Sequence, residues 1–262
     1  MNSGAAEQAA LAVLAVPGLR LLGFHSHIGS QIFDPAGFEA AAERAIGFVA
    51  HMLREHEFVT EHLDLGGGLG IAYLPSDDPL PVAEMAQAIH DIVIRECERH
   101  GVKVPHLSLE PGRAIVGQST VTIYEVGTVK PIELDGGAQR LYVSVDGGMS
   151  DNIRTALYDA QYFARIAQRD PIGSPVTARI VGKHCESGDI VVKDIALPSD
   201  IRPGDLIAVA ATGAYHRSMA SNYNMITRPA VVSVAHGASQ LMIRRETEAD
   251  LFMLDEGLQS RD

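Results

Sequence analysis

"HLDLGGGLG" (62–70) decides the fold of the first part of the chain, because it reads as a short buried strand that ends in glycines. "LRLLGFHSHIGS" (19–30) and "PHLSLEPGR" (105–113), on either side of it, read as strands with polar tips. Apolar residues with the spacing of one helical face fill the two intervals: Phe38, Ala41, Ala42, Ala45, Ile46, Val49, Met52 and Leu53, then Val82, Met85, Ala86, Ile89, Ile92 and Val93, with Gly101 as a stop. The alternation predicts parallel βα units with their chemistry at the carboxyl ends of the strands.

The sequence pattern changes near residue 119. Short β-rich runs such as "STVTIYEVGTVK", "RLYVSVDGG", "DIVVKDI" and "PAVVSVA" are separated by Gly, Pro and Asp, and only 150–166 reads as helical or irregular. We therefore predict an α/β domain over 1–118 and an antiparallel β-barrel or sandwich domain over 119–262. The last residues, "EGLQSRD" (256–262), are predicted to be a frayed tail.

Composition narrows the class of protein. Its net charge of -12 argues against a nucleic-acid partner, which would need clustered Lys and Arg. We find no apolar run long enough to cross a bilayer and no secretory signal, so we expect no membrane partner and a cytoplasmic location. Two cysteines, Cys97 and Cys185, cannot build a disulfide framework.

Three motifs of the first domain carry candidate site residues. Gly66, Gly67 and Gly68 could bring backbone amides to a phosphate, or could form only a tight turn. "HSHIGSQ" (25–31) could ligate a metal through two histidines, stack an imidazole on a planar cofactor, or hold satisfied histidines in a strand; no third ligand lies nearby, and we predict no metal. In "EPGR" (110–113), Glu110 could partner a protonated ring nitrogen or form an ion pair with Arg113.

The second domain adds three motifs. Arg154 and Tyr158 are four apart and could converge on a carboxylate if their segment is helical, although a solvated helix face is the more common explanation. Tyr215 lies among small residues and could close over a ligand or simply pack. "GKHCESGD" (182–189) places Cys185 beside Glu186, and this stretch is too short by itself for a metal site.

Taken in order, "HSHIGSQ", "LDLGGGLG", "EPGR", "CESGD" and "GAY" resemble the motifs of the diaminopimelate decarboxylases, which are fold-type III pyridoxal-phosphate enzymes. The resemblance implies an (α/β)8 TIM-type barrel, of which this chain holds the C-terminal part, followed by a β domain. It also implies pyridoxal 5'-phosphate as cofactor and a homodimer with active sites at the interface. The implied reaction, the last step of lysine biosynthesis, removes the carboxylate at the D-centre of meso-2,6-diaminopimelate and yields L-lysine.

The same resemblance implies a role for each candidate residue. In the first domain, His27 would stack on the pyridine ring, Ser30, Gly66, Gly67, Gly68 and Gly112 would bind the cofactor, Glu110 would keep the ring nitrogen protonated, and Arg113 would lie by the phosphate and the substrate carboxylate. In the second, Arg154, Tyr158 and Tyr215 would hold the substrate, Tyr215 would also touch the cofactor, Glu186 would meet the far amino group, and Cys185 would donate a proton across the interface.

The sequence departs from the family in one respect. The lysine that binds the cofactor covalently lies early in the family's barrel, and none of the four lysines here, Lys103, Lys130, Lys183 and Lys193, replaces it convincingly. Three strand-helix units also cannot close a barrel. We therefore expect a truncated or internally started version of the enzyme that is inactive by itself.

Two alternatives remain open. The chain could be a non-catalytic binding or dimerising subunit that pairs with a separate N-terminal piece or regulates an intact copy. It could also belong to a decarboxylase of the same fold that acts on another basic amino acid, in which case Glu186, Arg154 and Tyr158 would decide the substrate.

Overall fold

The structure is a computed structural model that describes residues 4–258, and it divides into two compact units. The first comprises the residues up to Ala72 and Ser76–Gly117; the second comprises Tyr73–Pro75 and the residues from Gln118 onward. Assigning these units to a cofactor domain (1–118) and a β domain (119–262) stays a prediction. Residues 259–262 of the predicted tail lie outside the described residues.

A three-stranded parallel sheet is the centre of the first unit. It consists of β1 (Gly23–His25), β2 (His62–Asp64) and β3 (His106–Ser108), in that order. His25, Asp64 and Ser108 are paired in register at the carboxyl ends. The strands are parallel as predicted, although each has only three residues, far fewer than the apolar runs that predict them.

Four helices belong to the described part of the first unit. They are α1 (Ala5–Leu14), α2 (Ala36–His56), α3 (Val82–His100) and the short α4 (Gly112–Val116). α3 ends at the predicted Gly101, whose φ of 64° is favourable for glycine. The core joins β2 to α2 and α3 through Phe38, Ala42, Ile46, Leu63, Leu65, Met85, Ile89, Val93 and Cys97, so most of the predicted helical faces are buried.

The second unit contains a six-stranded sheet with the strand order β6-β9-β4-β5-β7-β8. Its strands are β4 (Thr122–Glu133), β5 (Gln139–Val145), β6 (Ala164–Ile166), β7 (Pro175–Val181), β8 (Ile190–Pro198) and β9 (Leu206–Val209). A separate antiparallel hairpin joins β10 (Val231–Ala235) to β11 (Ala238–Ile243). The edge strands β6 and β8 also touch, so the six-stranded sheet curls towards closure.

The structure corrects two predictions for this unit, that its β domain is wholly antiparallel and that residues 150–166 contain no strand. β5 and β7 pair in parallel, because the segment between them is long enough to cross over the sheet. That segment carries α5 (Arg154–Tyr158) and then β6, whereas the sequence of 150–166 reads only as helical or irregular. β6 escapes detection because its three residues are too few to show an alternating pattern. A last short helix, α6 (Glu248–Leu251), follows the hairpin.

No helix within residues 4–258 is long and apolar enough to cross a membrane. Both cysteines are free thiols, and they differ in environment because Cys97 is buried in the first unit while Cys185 is exposed in the second.

One ion-pair network ties loops of the second unit together. The Arg169 guanidinium donates to Asp200 at 2.7 Å and to both carboxylate oxygens of Asp205 at 2.9 and 2.7 Å. Asp200 also accepts from the amides of Ile172 and Gly173. The hydrogen bond from Arg169 is the main cause that lowers the pKa of Asp200 to about 2.

This network predicts an acid-sensitive step in stability. A carboxyl group whose pKa is lower when folded stabilises the fold above its unfolded pKa, and this contribution is lost as the pH falls through its folded pKa. We expect the stability to fall between about pH 4 and pH 2, and Asp200→Asn to be less stable at pH 7 with a shallower decline. Urea unfolding followed by circular dichroism at several pH values measures both. Asp170→Asn, which removes an exposed carboxylate from the same loop, is the control; equal slopes in the two variants would contradict the assignment.

Candidate active site

Three side chains from different strands meet at the carboxyl edge of the parallel sheet. His25 ends β1, Asp64 ends β2, and Glu110 follows β3 by two residues. His25 Nε2 lies 3.4 Å from Glu110 Oε2, and one ligand atom from each of the three groups lies within 4.8 Å of the others. The sequence pairs His25 with His27, but the structure pairs it with the two carboxylates. Both His25 and Glu110 are more than half exposed, so the edge is open to a ligand.

The three glycines at this edge are packed so closely against neighbouring backbone that no side chain would fit at their positions. A Cβ at Gly66 would come within 2.7 Å of the Ser26 carbonyl oxygen, and one at Gly67 within 2.3 Å of the Glu110 carbonyl oxygen. Gly68 has a φ of 101° and would bring a Cβ within 2.4 Å of the Gly29 carbonyl oxygen. The triplet therefore lets the segments that follow β1 and β3 approach the one that follows β2.

Two amides of the triplet donate within the chain. The Gly66 amide donates to Asp64 Oδ1 at 2.7 Å, and the Gly67 amide donates to His27 Nδ1 at 3.3 Å. Because Nδ1 of His27 accepts, the neutral ring carries its proton on Nε2. The bond from Gly67 orients the exposed His27 ring, and a phosphate that used the same two amides would have to replace both bonds.

Arg113 and Ser30 form a second polar feature of the first unit. Arg113 lies in α4 with 8% of its surface exposed, and its Nη2 donates to Ser30 Oγ at 2.8 Å. Gly112 is the first residue of α4, and its amide donates to the Glu110 carbonyl oxygen. A guanidinium beside a hydroxyl is a suitable donor set for an anion.

In the second unit, Arg154 is buried in a cage of tyrosines. It is 7% exposed, and its Nη1 donates to the hydroxyls of Tyr73 and Tyr162, each at 2.9 Å. The guanidinium carbon also lies 5.3, 5.9 and 5.7 Å from the ring centres of Tyr73, Tyr162 and Tyr215. Among residues 4–258 no carboxylate forms a salt bridge with Arg154. The cage therefore holds a buried cation that could donate hydrogen bonds to the carboxylate of a ligand.

The two tyrosines predicted to work with Arg154 differ in placement. Tyr215 contacts the guanidinium and has a φ of 63°, a strained value for a bulky residue and one often associated with functional loops. Tyr158 is 64% exposed and makes no hydrogen bond or ring contact with Arg154 in the described part of the chain. The segment is helical as that prediction required, since α5 spans both residues, and their convergence on a carboxylate stays a prediction.

The loop between β7 and β8 carries Cys185 and Glu186, and both residues are exposed. Asp189 anchors this loop, because its carboxylate accepts from the amides of Met149 at 2.6 Å and His184 at 2.7 Å. A Cβ at Gly148 or Gly182 would collide with the same carboxylate. Asp189 thus joins this loop to the one after β5.

A ring stack supports Glu186 in that loop. The His184 ring is buried and stacks on Tyr223 with centroids 5.4 Å apart, and its Nε2 lies 3.0 Å from Ser150 Oγ. The Tyr223 hydroxyl donates to Glu186 Oε2 at 3.4 Å. These contacts orient the exposed carboxylate while leaving its other oxygen accessible.

Several residues of these clusters are not among those predicted from the sequence. Tyr73 and Tyr162 around Arg154, Asp64 beside His25, and Tyr223 beside Glu186 come from distant parts of the chain and follow no periodic pattern. Only Asp64 carries a usable sequence signal, because it lies in the motif "LDLGGGLG" two residues before the glycine triplet.

Known proteins with similar sequences are pyridoxal-dependent decarboxylases, the class of enzyme that the sequence motifs resemble. Residues 2–117 match the family described as "Pyridoxal-dependent decarboxylase, pyridoxal binding domain". The diaminopimelate decarboxylase of Mycobacterium tuberculosis is 57% identical over 259 residues, which cover 97% of this chain and 58% of that protein. The chain is a relative of the diaminopimelate decarboxylases. The enzyme of that name from Bacillus subtilis is 46% identical, with 97% of this chain and 57% of that protein covered.

Solved structures of diaminopimelate decarboxylases resemble the fold as well. The M. jannaschii structure in complex with L-lysine has a TM-score of 0.87 at 32% identity, with 97% of this chain and 56% of that chain covered. The Helicobacter pylori structure with L-lysine has a TM-score of 0.81 at 30% identity and covers 97% and 59%. This chain thus spans somewhat more than half the length of the diaminopimelate decarboxylases it matches.

The residues of the first unit fit the phosphate and the ring of pyridoxal phosphate. The glycines let the backbone come close to the His27 ring, and Arg113 with Ser30 offers donors for a dianion. Ser26 Oγ is buried and has no hydrogen-bond partner among the described residues, so one more hydroxyl remains for a ligand or water.

The glycine contacts predict the effect of one added methyl group. We expect Gly67→Ala to destabilise the chain by about 1–3 kcal/mol, because the new Cβ would meet a backbone oxygen that cannot rotate away. Gly47→Ala is the control, since its Cβ would have ordinary contacts with His100 and alanine favours the interior of α2. Urea unfolding of both variants measures the difference, and equal stabilities would contradict the close approach.

Proposed function

We propose that this chain holds much of the cofactor site and the substrate-recognition residues of a decarboxylase that converts meso-2,6-diaminopimelate to L-lysine. The observation that carries the proposal is the 57% identity, over 97% of the chain, to a protein named diaminopimelate decarboxylase. The buried Arg154 supports it, since no carboxylate among residues 4–258 pairs with its guanidinium and an amino-acid substrate brings the anion that such a site would bind.

The first unit would bind the cofactor. His27 would stack on the pyridine ring, Arg113 and Ser30 would hold the phosphate beside Gly66–Gly68, and Gly112 would let the backbone of α4 approach it. Glu110 would keep a proton on the ring nitrogen, and His25 beside it would orient its carboxylate. When bound, pyridoxal phosphate supplies an acceptor for the electrons that the departing CO2 leaves behind.

The second unit would recognise the substrate and return a proton. Arg154, with Tyr215, would bind a carboxylate of diaminopimelate, and the exposed Tyr158 would help to hold the same substrate. Glu186 would bind the distant amino group, and the Cys185 thiol would deliver its Sγ proton to the carbon that lost CO2. We propose that these last two residues act across the interface of a homodimer, in agreement with their exposure.

The lysine that holds the cofactor would come from outside this sequence. Lys103 lies in the connection leading into β3, at the sheet edge opposite the carboxyl ends that bear His25, Asp64 and Glu110. Lys193 pairs with Asp159 on the surface of the second unit, Lys183 is exposed, and Lys130 lies on β4. The second candidate function is a non-catalytic subunit that binds the phosphate and dimerises.

Borohydride reduction tests which candidate holds. We expect the 262-residue chain to bind pyridoxal phosphate reversibly, seen as a change in cofactor absorbance, but to gain no stoichiometric mass adduct after reduction. The protein purified from its own cells should be heavier than 28.0 kDa and should gain one adduct if the decarboxylase proposal is right. A native mass of 28.0 kDa without an adduct would put the binding subunit first.

Arg154 provides a test of substrate recognition. We expect Arg154→Lys to weaken diaminopimelate binding by about 10- to 100-fold, because lysine cannot reproduce the planar set of donors held by the tyrosine hydroxyls. Isothermal titration with the cofactor present measures the change. Arg165→Lys, at an exposed position on β6, is the matched control. Equal affinities for the two variants would remove Arg154 from the site.

A further inference from the structure

A cluster of one carboxylate and two imidazoles lies apart from the strand ends, between α1 and α2. Glu7 belongs to the first turn of α1, while His51 and His56 lie in the C-terminal part of α2. Glu7 Oε1 is 2.9 Å from His51 Nε2 and 2.6 Å from His56 Nε2. The three side chains are 32%, 36% and 24% exposed, so they are partly desolvated and still reachable from solvent.

The arrangement matches what zinc requires. Two histidines and one glutamate form a known ligand set of zinc sites that keep a fourth position open. The two imidazole rings lie 6.0 Å apart between centroids with their planes at 81°, so they are not stacked on each other and both present Nε2 to the same carboxylate oxygen. Zinc bonds of about 2.0–2.2 Å place tetrahedral ligand atoms roughly 3.4 Å apart, which small outward rotations of these side chains would reach.

We propose that Glu7, His51 and His56 form a zinc site that fastens α1 to α2. Helix α1 buries only Ala10 and leaves Leu11 and Leu14 exposed, so its own apolar packing holds it weakly. An ion bound by residues of both helices would replace the two hydrogen bonds between the imidazoles and the carboxylate with three coordination bonds. Sequence spacing hides the site, because the histidines are five apart and Glu7 lies 44 residues upstream of His51.

Phe48 and the surrounding charges are compatible with this role. The Phe48 ring stacks beside His51 with centroids 6.3 Å apart, which shields one side of the cluster from water. The pKa of Glu7 is held below its usual value, first by the hydrogen bond from His56 and then by the one from His51, so the carboxylate is charged at neutral pH.

Direct binding tests the proposal on the full chain. After chelator treatment, the protein would be dialysed against Zn²⁺ in a Cys185→Ser background, which removes the exposed thiol as a competing ligand. We expect one Zn²⁺ per chain to depend on the cluster, and Glu7→Gln or His56→Gln to lower its affinity by more than about tenfold. Glu110→Gln is the control, since it removes a carboxylate from the other three-residue cluster, that of His25, Asp64 and Glu110.

Hydrogen exchange provides a second measurement. Zn²⁺ should slow amide exchange in α1 of the parent chain but not of Glu7→Gln, while unchanged exchange in α3 shows that the variant is folded. If the parent binds no Zn²⁺, or if Glu7→Gln binds and protects as the parent does, the cluster is a hydrogen-bonded contact only and the proposal is overturned. Loss of Zn²⁺ with Glu110→Gln alone would assign the ion to the strand ends instead.

Discussion

The close approach of backbone segments at the carboxyl edge of the parallel sheet is the constraint on which the first unit depends. Gly67 lies against the Glu110 carbonyl oxygen and Gly68 against that of Gly29, distances that only residues without a Cβ can adopt. The Gly67 amide in turn orients His27, and the neighbouring strand end brings Glu110 to His25. The main effect of the glycine triplet on the site is therefore to allow the backbone segments to approach, and the hydrogen bonds of its amides come second.

A buried carboxylate has the corresponding role in the second unit. Asp189 accepts from two amides, and it lies where side chains at Gly148 and Gly182 would have to be. This arrangement fixes the base of the loop that carries Cys185 and Glu186 but leaves both residues exposed. A rigid base with exposed side chains is compatible with the proposal that Cys185 and Glu186 act on a ligand across a homodimer interface.

The sequence predicts best what depends on periodicity. The faces of α2 and α3, the stop at Gly101 and the parallel order of β1–β3 follow from apolar spacing and strand-end glycines. The parallel pairing of β5 with β7 could not be predicted, because it depends on a crossover that no local pattern encodes. The same holds for Tyr73 and Tyr162 around Arg154, whose convergence is a property of the tertiary structure.

Arg154 and Arg169 are two cations of the second unit with different kinds of partner. Arg169 faces Asp200 and Asp205, and its ion pairs serve the loops that they join. Arg154 is more deeply buried, yet it has only tyrosine hydroxyls and ring faces as described partners, and these offset part of its desolvation cost. A carboxylate supplied by the chain would stabilise the fold more and would block the cation. A cage of neutral partners keeps the charge accessible, and this is the arrangement expected where the anion is a ligand.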